Sequence, residues 1–150
     1  MPQSLSNIVI HLIFSTKERR KIIAEDITPE LHRYLAAILK NLGCPAITIG
    51  SRPDLVHVLF NMAKTQSVSA VAEEVKKGSS KWIKTKGEQY QIFSWQRGYG
   101  AFSVSESNVD AVRKYVDAQE EHHRKMSFEE ELIKFLSRNK IAYDEKYLWD

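Results

Sequence analysis

The order of strand-like and helix-like segments is the feature that most constrains the fold of this chain. Short runs rich in β-branched and aromatic residues predict four strands, at 6–15, 46–50, 55–62 and 101–104. Apolar residues at helical spacing predict one helix from Thr28 to Leu42 and a second that begins after Ser67, a favourable N-cap residue. The order strand, helix, strand, strand, helix, strand is typical of a ferredoxin-like α+β fold with an antiparallel sheet.

Two added C-terminal helices are predicted after this sheet. The first covers 108–125, and Ser127 caps the second. Within the earlier helix, the segment Gly78-Ser79-Ser80 is expected to weaken or bend the backbone. No linker or repeat divides the sequence, so we expect one domain over residues 1–150.

Composition narrows the class of protein further. The chain has 150 residues, of which 43% are hydrophobic and 27% are charged, which excludes collagen-like, disordered and disulfide-rich classes. The single cysteine, Cys44, cannot form an internal disulfide, which fits a reducing compartment. No apolar stretch approaches the roughly 18 residues of a membrane span, and no basic leader precedes the first apolar run. We therefore expect a cytoplasmic protein that does not enter a membrane.

The charge distribution points to a polyanionic partner for the first two thirds of the chain. Residues 1–100 contain 14 Lys and Arg against 8 Asp and Glu, whereas residues 101–150 contain 8 against 11. If the partner is DNA, cations would hold phosphates and Trp82 could stack on an unpaired base. The alternative is a solvated basic face with Trp82 in the core. The candidate DNA-binding residues are Lys17, Arg19, Arg20, Arg52, Lys81, Trp82, Lys84 and Lys86.

Two patterns place polar side chains where chemistry is possible. Tyr115, Gln119 and His122 are spaced i, i+4 and i+7, so a helix would present all three on one face. The alternative is that Tyr115 is an amphipathic core residue and the other two are solvated. His57 lies in the middle of an apolar strand, on the same face as Leu55, and it needs a hydrogen-bonding partner there. It is either a core histidine, a metal ligand or an acid/base group.

Several segments together resemble the small single-tyrosine HUH transposases of insertion sequences and repeat-associated elements. They are HLIFSTKERR, SRPDLVHVLF, GSSKWIKTKG, SWQRGYGAFSVS, VRKYVDAQEEHH and IAYDEKYLW. The resemblance implies a ferredoxin-like homodimer that cuts and rejoins single-stranded DNA beside hairpins, using a tyrosine and a divalent metal, Mg²⁺ or Mn²⁺. By position, Tyr115 would match the nucleophile, Gln119 the helical metal ligand and His57 the second histidine of the His-hydrophobic-His motif. The Tyr115 helix of one copy would reach towards His57 of the other.

The sequence departs from this family pattern at Leu55, which stands where the first histidine of the motif is expected. Leucine cannot coordinate a metal, so two of three expected ligands remain. His122 and His11 are the candidates for a replacement ligand. If the lost imidazole is the only defect, Leu55→His should complete the site.

Three functions therefore remain in competition. The first is a strand-transferring transposase in which Leu55 impairs the metal site. The second is a catalytically inactive homologue that still binds hairpin DNA. The third is a ferredoxin-like module for a small ligand or a protein, which leaves Tyr115, Gln119 and the lysine cluster unexplained.

Overall fold

The computed structural model describes residues 3–119 and 128–141, which form a four-stranded antiparallel sheet with helices on both faces. The strands follow the order β2-β3-β1-β4, which confirms the ferredoxin-like α+β fold. Within these residues, no helix combines the length and the hydropathy that a membrane span requires. The elements are β1 (Val9–Ser15), α1 (Thr28–Asn41), β2 (Ala46–Arg52), β3 (Leu55–Asn61), α2 (Val68–Ile83), β4 (Gly100–Val104), α3 (Val109–Asp117) and α4 (Phe128–Arg138).

One face of the sheet carries the main apolar core. Strands β1 and β3 pair along their whole length, with Leu12 opposite Val58. Alternate residues of both strands point to this face, because successive side chains of a strand point to opposite sides. Helices α1 and α2 cover it with a buried apolar stripe each. The stripes consist of Leu31, Leu35 and Leu39 in α1 and of Val71, Ala72, Val75 and Ile83 in α2.

The opposite face carries both histidines of the sheet and a smaller apolar cluster. His11 and Ile13 of β1 point to this face, and so do Leu55 and His57 of β3. Helix α3 packs beside β2 and β3, and α4 contributes two leucines to the cluster. The second cluster consists of Ile13, Leu55, Phe102, Leu132 and Leu136.

Helix α2 runs without interruption through Gly78-Ser79-Ser80, so the expected weak point is wrong. The Ser79 hydroxyl donates to the carbonyl of Val75 at 2.7 Å and accepts from the Trp95 indole N–H at 2.9 Å. A Cβ at Gly78 would lie 2.8 Å from Cδ1 of Ile38, so glycine lets α1 pack close. Tertiary contacts therefore outweigh the low helix propensity of this segment.

Helix α3 ends earlier than the apolar periodicity predicts. Its last residue is Asp117, and Ala118 leaves helical geometry with φ −98° and ψ 26°. The remainder of the predicted helix 108–125, with His122, lies largely outside the described residues. Ser127, the expected cap of the last helix, lies outside them as well.

Gly50 in β2 allows α3 to approach the sheet closely. A Cβ at this position would lie 2.1 Å from the carbonyl oxygen of Val116 and 3.1 Å from Cγ of Gln119. Two residues earlier in β2, the Thr48 hydroxyl donates a hydrogen bond to a carboxylate oxygen of Asp117. The last turn of α3 is thus fixed against the backbone of β2.

We expect Gly50→Ala to destabilise the protein by about 1–3 kcal/mol, because the new methyl group would push the backbone of α3 away from β2. Gly98→Ala is the matched control, since a Cβ at Gly98 meets no atom within 4 Å. It should change stability by less than about 0.5 kcal/mol. Urea unfolding of both variants measures the difference, and equal midpoints would show that α3 does not depend on this contact.

Candidate active site

His11 and His57 form a buried hydrogen-bonded pair at the centre of the second sheet face. Strand pairing sets Ile13 opposite His57, so His11 lies diagonally across from His57 on the same face. Nε2 of His11 and Nδ1 of His57 are 2.8 Å apart, and the two rings stack with their centroids 5.0 Å apart. The partner that a histidine in an apolar strand requires is therefore the other histidine.

Burial holds the pKa of His11 well below its ordinary value, and the nearby His57 lowers it further. His11 is consequently neutral near pH 7. A neutral imidazole has one N–H donor and one acceptor nitrogen, so Nε2 of His11 either donates to Nδ1 of His57 or accepts from it.

Tyr115 lies next to His57 within the same chain. Its ring meets the imidazole edge-on, with centroids 5.7 Å apart and an interplanar angle of 81°. Tyr115 is half-buried and lies in the last turn of α3. The close contact between Val116 and Gly50 holds this turn against β2. A second copy of the chain is therefore not needed to bring Tyr115 to His57, unlike the arrangement that the sequence resemblance implied.

Gln119 is buried next to these residues and is bonded at both ends of its amide. Its Nε2 donates to the carbonyl of Tyr115 at 3.3 Å, and its Oε1 accepts from Nε of Arg52 at 3.2 Å. Arg52 is only 4% exposed and ends β2, so its side chain does not lie at a surface turn as the sequence predicted. The guanidinium points inward because Arg52 shares the sheet face of Gly50, on which α3 packs.

Leu55 is fully buried in the apolar cluster formed with α4. Its neighbours there include Ile13, Phe102 and Leu132, none of which offers a metal ligand. The methyl groups of Leu55 thus contribute to packing at the position where the family pattern has an imidazole. An apolar side chain of this size contributes about 1.5–3 kcal/mol when it is fully buried.

These donors do not fit a divalent metal ion as they are arranged. Of the three ligands that the resemblance implies, Leu55 has no donor atom and the amide oxygen of Gln119 is bonded to a guanidinium. His11, one candidate for a replacement ligand, lies close to His57, but its Nε2 is hydrogen-bonded to Nδ1 of His57. Among the described residues, no three His, Cys, Asp or Glu side chains form a group that could hold a metal. His122, the other candidate replacement, lies outside those residues.

Part of the predicted DNA-binding set lies exposed at one end of the sheet. Lys17 and Arg20 follow β1 in a turn where Glu18 and Arg19 both adopt φ 57°, and Arg20 pairs with Glu18 at 3.1 Å. The second half of α2 reaches the same end, because the Trp95 indole bonds to Ser79 and Trp95 pairs with Thr16 in a short antiparallel bridge. The backbone bonds of this bridge run from Lys17 N–H to the Ser94 carbonyl and from Gln96 N–H to the Ser15 carbonyl. Helix α2 and the residue after it present Lys81 and Lys84 to solvent there.

Trp82 and Lys86 make contacts within the protein. The Trp82 ring stacks on Tyr34 of α1 at 5.3 Å, and the Lys86 ammonium lies 4.8 Å from the Trp82 centroid. Lys86 also pairs with Glu30 at 2.8 Å. Tyr34, at 37% exposure, is the outer ring of this stack. The sequence pattern did not indicate Tyr34 as a surface residue, because Tyr34 has the same helical spacing as the buried leucines of α1.

We expect His11→Gln to reduce the loss of stability at mildly acidic pH. The folded pKa of His11 is lowered, so the unfolded state binds more protons once the pH falls below about 6.5. The wild-type protein keeps the full contribution above that value and loses it as the pH falls further, whereas glutamine can bond to His57 without titrating. Urea unfolding at about pH 7.5 and about pH 5.5 in metal-free buffer measures this. Identical pH dependence in both proteins would contradict the assignment.

Comparisons with known proteins agree with this fold and with the family resemblance of the sequence. Residues 4–119 match the family described as IS200-like transposases. The ISDra2 transposase TnpA of Deinococcus radiodurans is 25% identical over 114 residues, covering 73% of this chain and 81% of that protein. A transposase structure from Deinococcus radiodurans superposes with a TM-score of 0.62 at 20% identity, covering 79% of this chain and 98% of that one.

A second solved structure is a REP-associated tyrosine transposase bound to a REP hairpin. It superposes with a TM-score of 0.61 at 10% identity, covering 82% of this chain and 72% of that one. The two structural likenesses concern the fold, whereas the family match spans most of this sequence and includes His57, Tyr115 and Gln119. The resemblance found in the sequence motifs is therefore confirmed, and the chain belongs to the IS200-like transposase family.

Proposed function

We propose that this chain binds single-stranded DNA beside a hairpin and has lost metal-assisted cutting. The observation that carries the proposal is the state of the expected metal site, where Leu55 belongs to an apolar cluster and Gln119 bonds to Arg52. Hairpin binding is supported by the structural relative that is described as bound to a REP hairpin. The fold and the surface cations are present, whereas one of the three expected metal ligands is replaced by Leu55 and another is bonded to Arg52.

Exposed basic residues supply the affinity in this proposal. Lys17, Arg20, Lys81 and Lys84 are exposed towards the end of the sheet where β1 ends and β3 begins. Cations that contact phosphates position a nucleic acid without reading its sequence, and they do so independently of a catalytic metal. DNA binding can therefore survive the loss of a metal ligand at Leu55.

The loss of cutting follows from the charge that builds up during phosphodiester cleavage. A phenol with a pKa of about 10 is a weak nucleophile near neutral pH unless positive charge stabilises the reacting groups. The family resemblance assigns that charge to a divalent ion, and this chain offers no complete donor set for one among its described residues. Tyr115 then keeps a role in packing against His57.

Strand transfer is the second candidate, because Tyr115 lies beside His57 in the same chain. In that reaction the Tyr115 oxygen bonds to phosphorus, the bond from phosphorus to the 3′ oxygen breaks, the phenol loses its proton and the 3′ oxygen gains one. A 3′ hydroxyl reverses the step. Detection of a covalent adduct separates this function from DNA binding alone.

The homodimer implied by the family resemblance stays a prediction. The sheet ends in β2 on one side and in β4 on the other, and an unpaired strand edge is a surface on which a second sheet can pair. Such a dimer would join two sites that are each formed by residues of one chain.

We expect hairpin-flanked single-stranded DNA to bind in a salt-dependent manner and more tightly than an unstructured strand of equal length. Lys17→Gln/Lys84→Gln should lower the slope of log K against log salt by about 0.7 for each lost phosphate contact. The control, Lys40→Gln/Lys64→Gln, removes the same charge from exposed lysines elsewhere and should leave the slope unchanged. Fluorescence anisotropy titrations measure both, and equal affinity for the two DNA forms would exclude hairpin recognition.

We expect no covalent protein–DNA adduct when the wild-type protein is incubated with hairpin-flanked DNA and Mn²⁺. The reason is that no metal reaches the phosphate next to Tyr115. Denaturing gel electrophoresis of labelled DNA detects such an adduct, and Tyr115→Phe sets the background. An adduct that forms in the wild-type protein and disappears in Tyr115→Phe would replace the binding function by strand transfer.

A further inference from the structure

We propose that the Arg52 guanidinium takes the place of the divalent cation in this chain. It would act as a built-in cation that holds the amide of Gln119 and so positions the tyrosine helix on the sheet. The inference rests on the proposal that no metal binds here, but it concerns the folded protein without DNA. Arg52 is a positioning residue in this account, because it acts on Tyr115 through Gln119.

The strand register places this cation next to the altered ligand position. Arg52 is paired directly with Leu55 across β2 and β3. Directly opposed residues of an antiparallel pair point to the same face, with their Cβ atoms about 4.5–5.5 Å apart. The Cβ atom of Arg52 therefore lies beside Leu55, the residue that replaces the first histidine of the motif.

The guanidinium uses the atom that a hard metal ion would require. Amide oxygens are ligands of Mg²⁺ and Mn²⁺, and Oε1 of Gln119 accepts instead from Nε of Arg52 at 3.2 Å. Both side chains are almost fully buried, at 4% and 2% exposure. A divalent ion bound to the same oxygen would meet a like charge at short range in a poorly solvated site, so the two cations exclude each other.

A tethered cation also suits the apolar surroundings of Leu55. A metal ion in this position would lack its third ligand and would lie beside the cluster that includes Leu55, Phe102 and Leu132. Arginine needs no such ligand, because its charge is carried on a side chain whose aliphatic stem can pack on apolar groups. The change at Leu55 and the inward turn of Arg52 are thus consistent with each other.

The two substitutions make separate predictions about metal binding. Leu55→His alone should bind Mn²⁺ weakly, because the guanidinium still occupies Oε1 of Gln119. Leu55→His/Arg52→Met removes the charge and keeps a long apolar stem, so Mn²⁺ should bind at least about 10-fold more tightly than in Leu55→His. Leu55→His/Arg52→Lys keeps a cation and is the matched control, with binding as weak as in Leu55→His.

Isothermal titration and Mn²⁺ electron paramagnetic resonance, both without DNA, measure these affinities in variants whose fold is checked by circular dichroism. Binding by Leu55→His as tight as by Leu55→His/Arg52→Met would overturn the proposal. Mn²⁺ binding by the wild-type protein would overturn it as well, and would indicate His11 and His57 as a chelating pair. Because no DNA is present, these results are independent of hairpin binding.

A second measurement needs only the wild-type protein and one variant. The Arg52 Nε–H signal in nuclear magnetic resonance should exchange with solvent slowly, and Gln119→Leu should accelerate its exchange while Arg33, which is exposed, stays fast. Exchange at Arg52 as fast as at Arg33 in the wild-type protein would overturn the proposal even if the double variants do not fold.

Discussion

The close contact between the backbone of α3 and Gly50 is the constraint on which the site depends. Only a residue without a Cβ lets the carbonyl of Val116 approach β2 to this distance. With the last turn of α3 held there, the Tyr115 ring contacts His57, and the Gln119 amide lies within hydrogen-bonding distance of the Arg52 side chain. The absence of a side chain at Gly50 thus allows the polar side chains of α3 and the sheet to meet.

Hydrogen bonds within the protein engage four side chains of the polar cluster. His11 bonds to His57, and Gln119 bonds to both Arg52 and the backbone of Tyr115. Buried polar groups cost free energy unless they are paired, so these bonds offset desolvation that a metal would otherwise offset. The same residue types that can hold a divalent ion in principle here serve to attach a helix to a sheet.

The exposed basic surface and the tyrosine site are separate in this structure. The exposed lysines and arginine of the β1 turn and the end of α2 make no described hydrogen bond to the His11–His57 pair, to Tyr115 or to Gln119. In the proposed function, affinity for DNA depends on those surface charges, whereas cutting would depend on a buried set of donors. A member of a transposase family can therefore lose one property and keep the other.

The sequence by itself determined the order of the elements, the ferredoxin-like fold, the family and the presence of Tyr115 and Gln119 four residues apart. Those properties follow from local periodicity and from motifs of adjacent residues, which can be read without a three-dimensional structure. It also placed Leu55 and His57 on one face, because strand alternation is a local rule.

Only the tertiary structure decided which side chains meet. The partner of His57 lies 46 residues away and that of Gln119 lies 67 residues away, so strand register and helix docking select them. Arg52 belongs to a hairpin that reads as a surface turn, yet α3 covers the face on which its side chain lies. Leu55 reads as a lost ligand, and its apolar neighbours from β1, β4 and α4 make it part of a core. Periodicity specifies the direction of a side chain, but packing against distant segments determines what that side chain contacts.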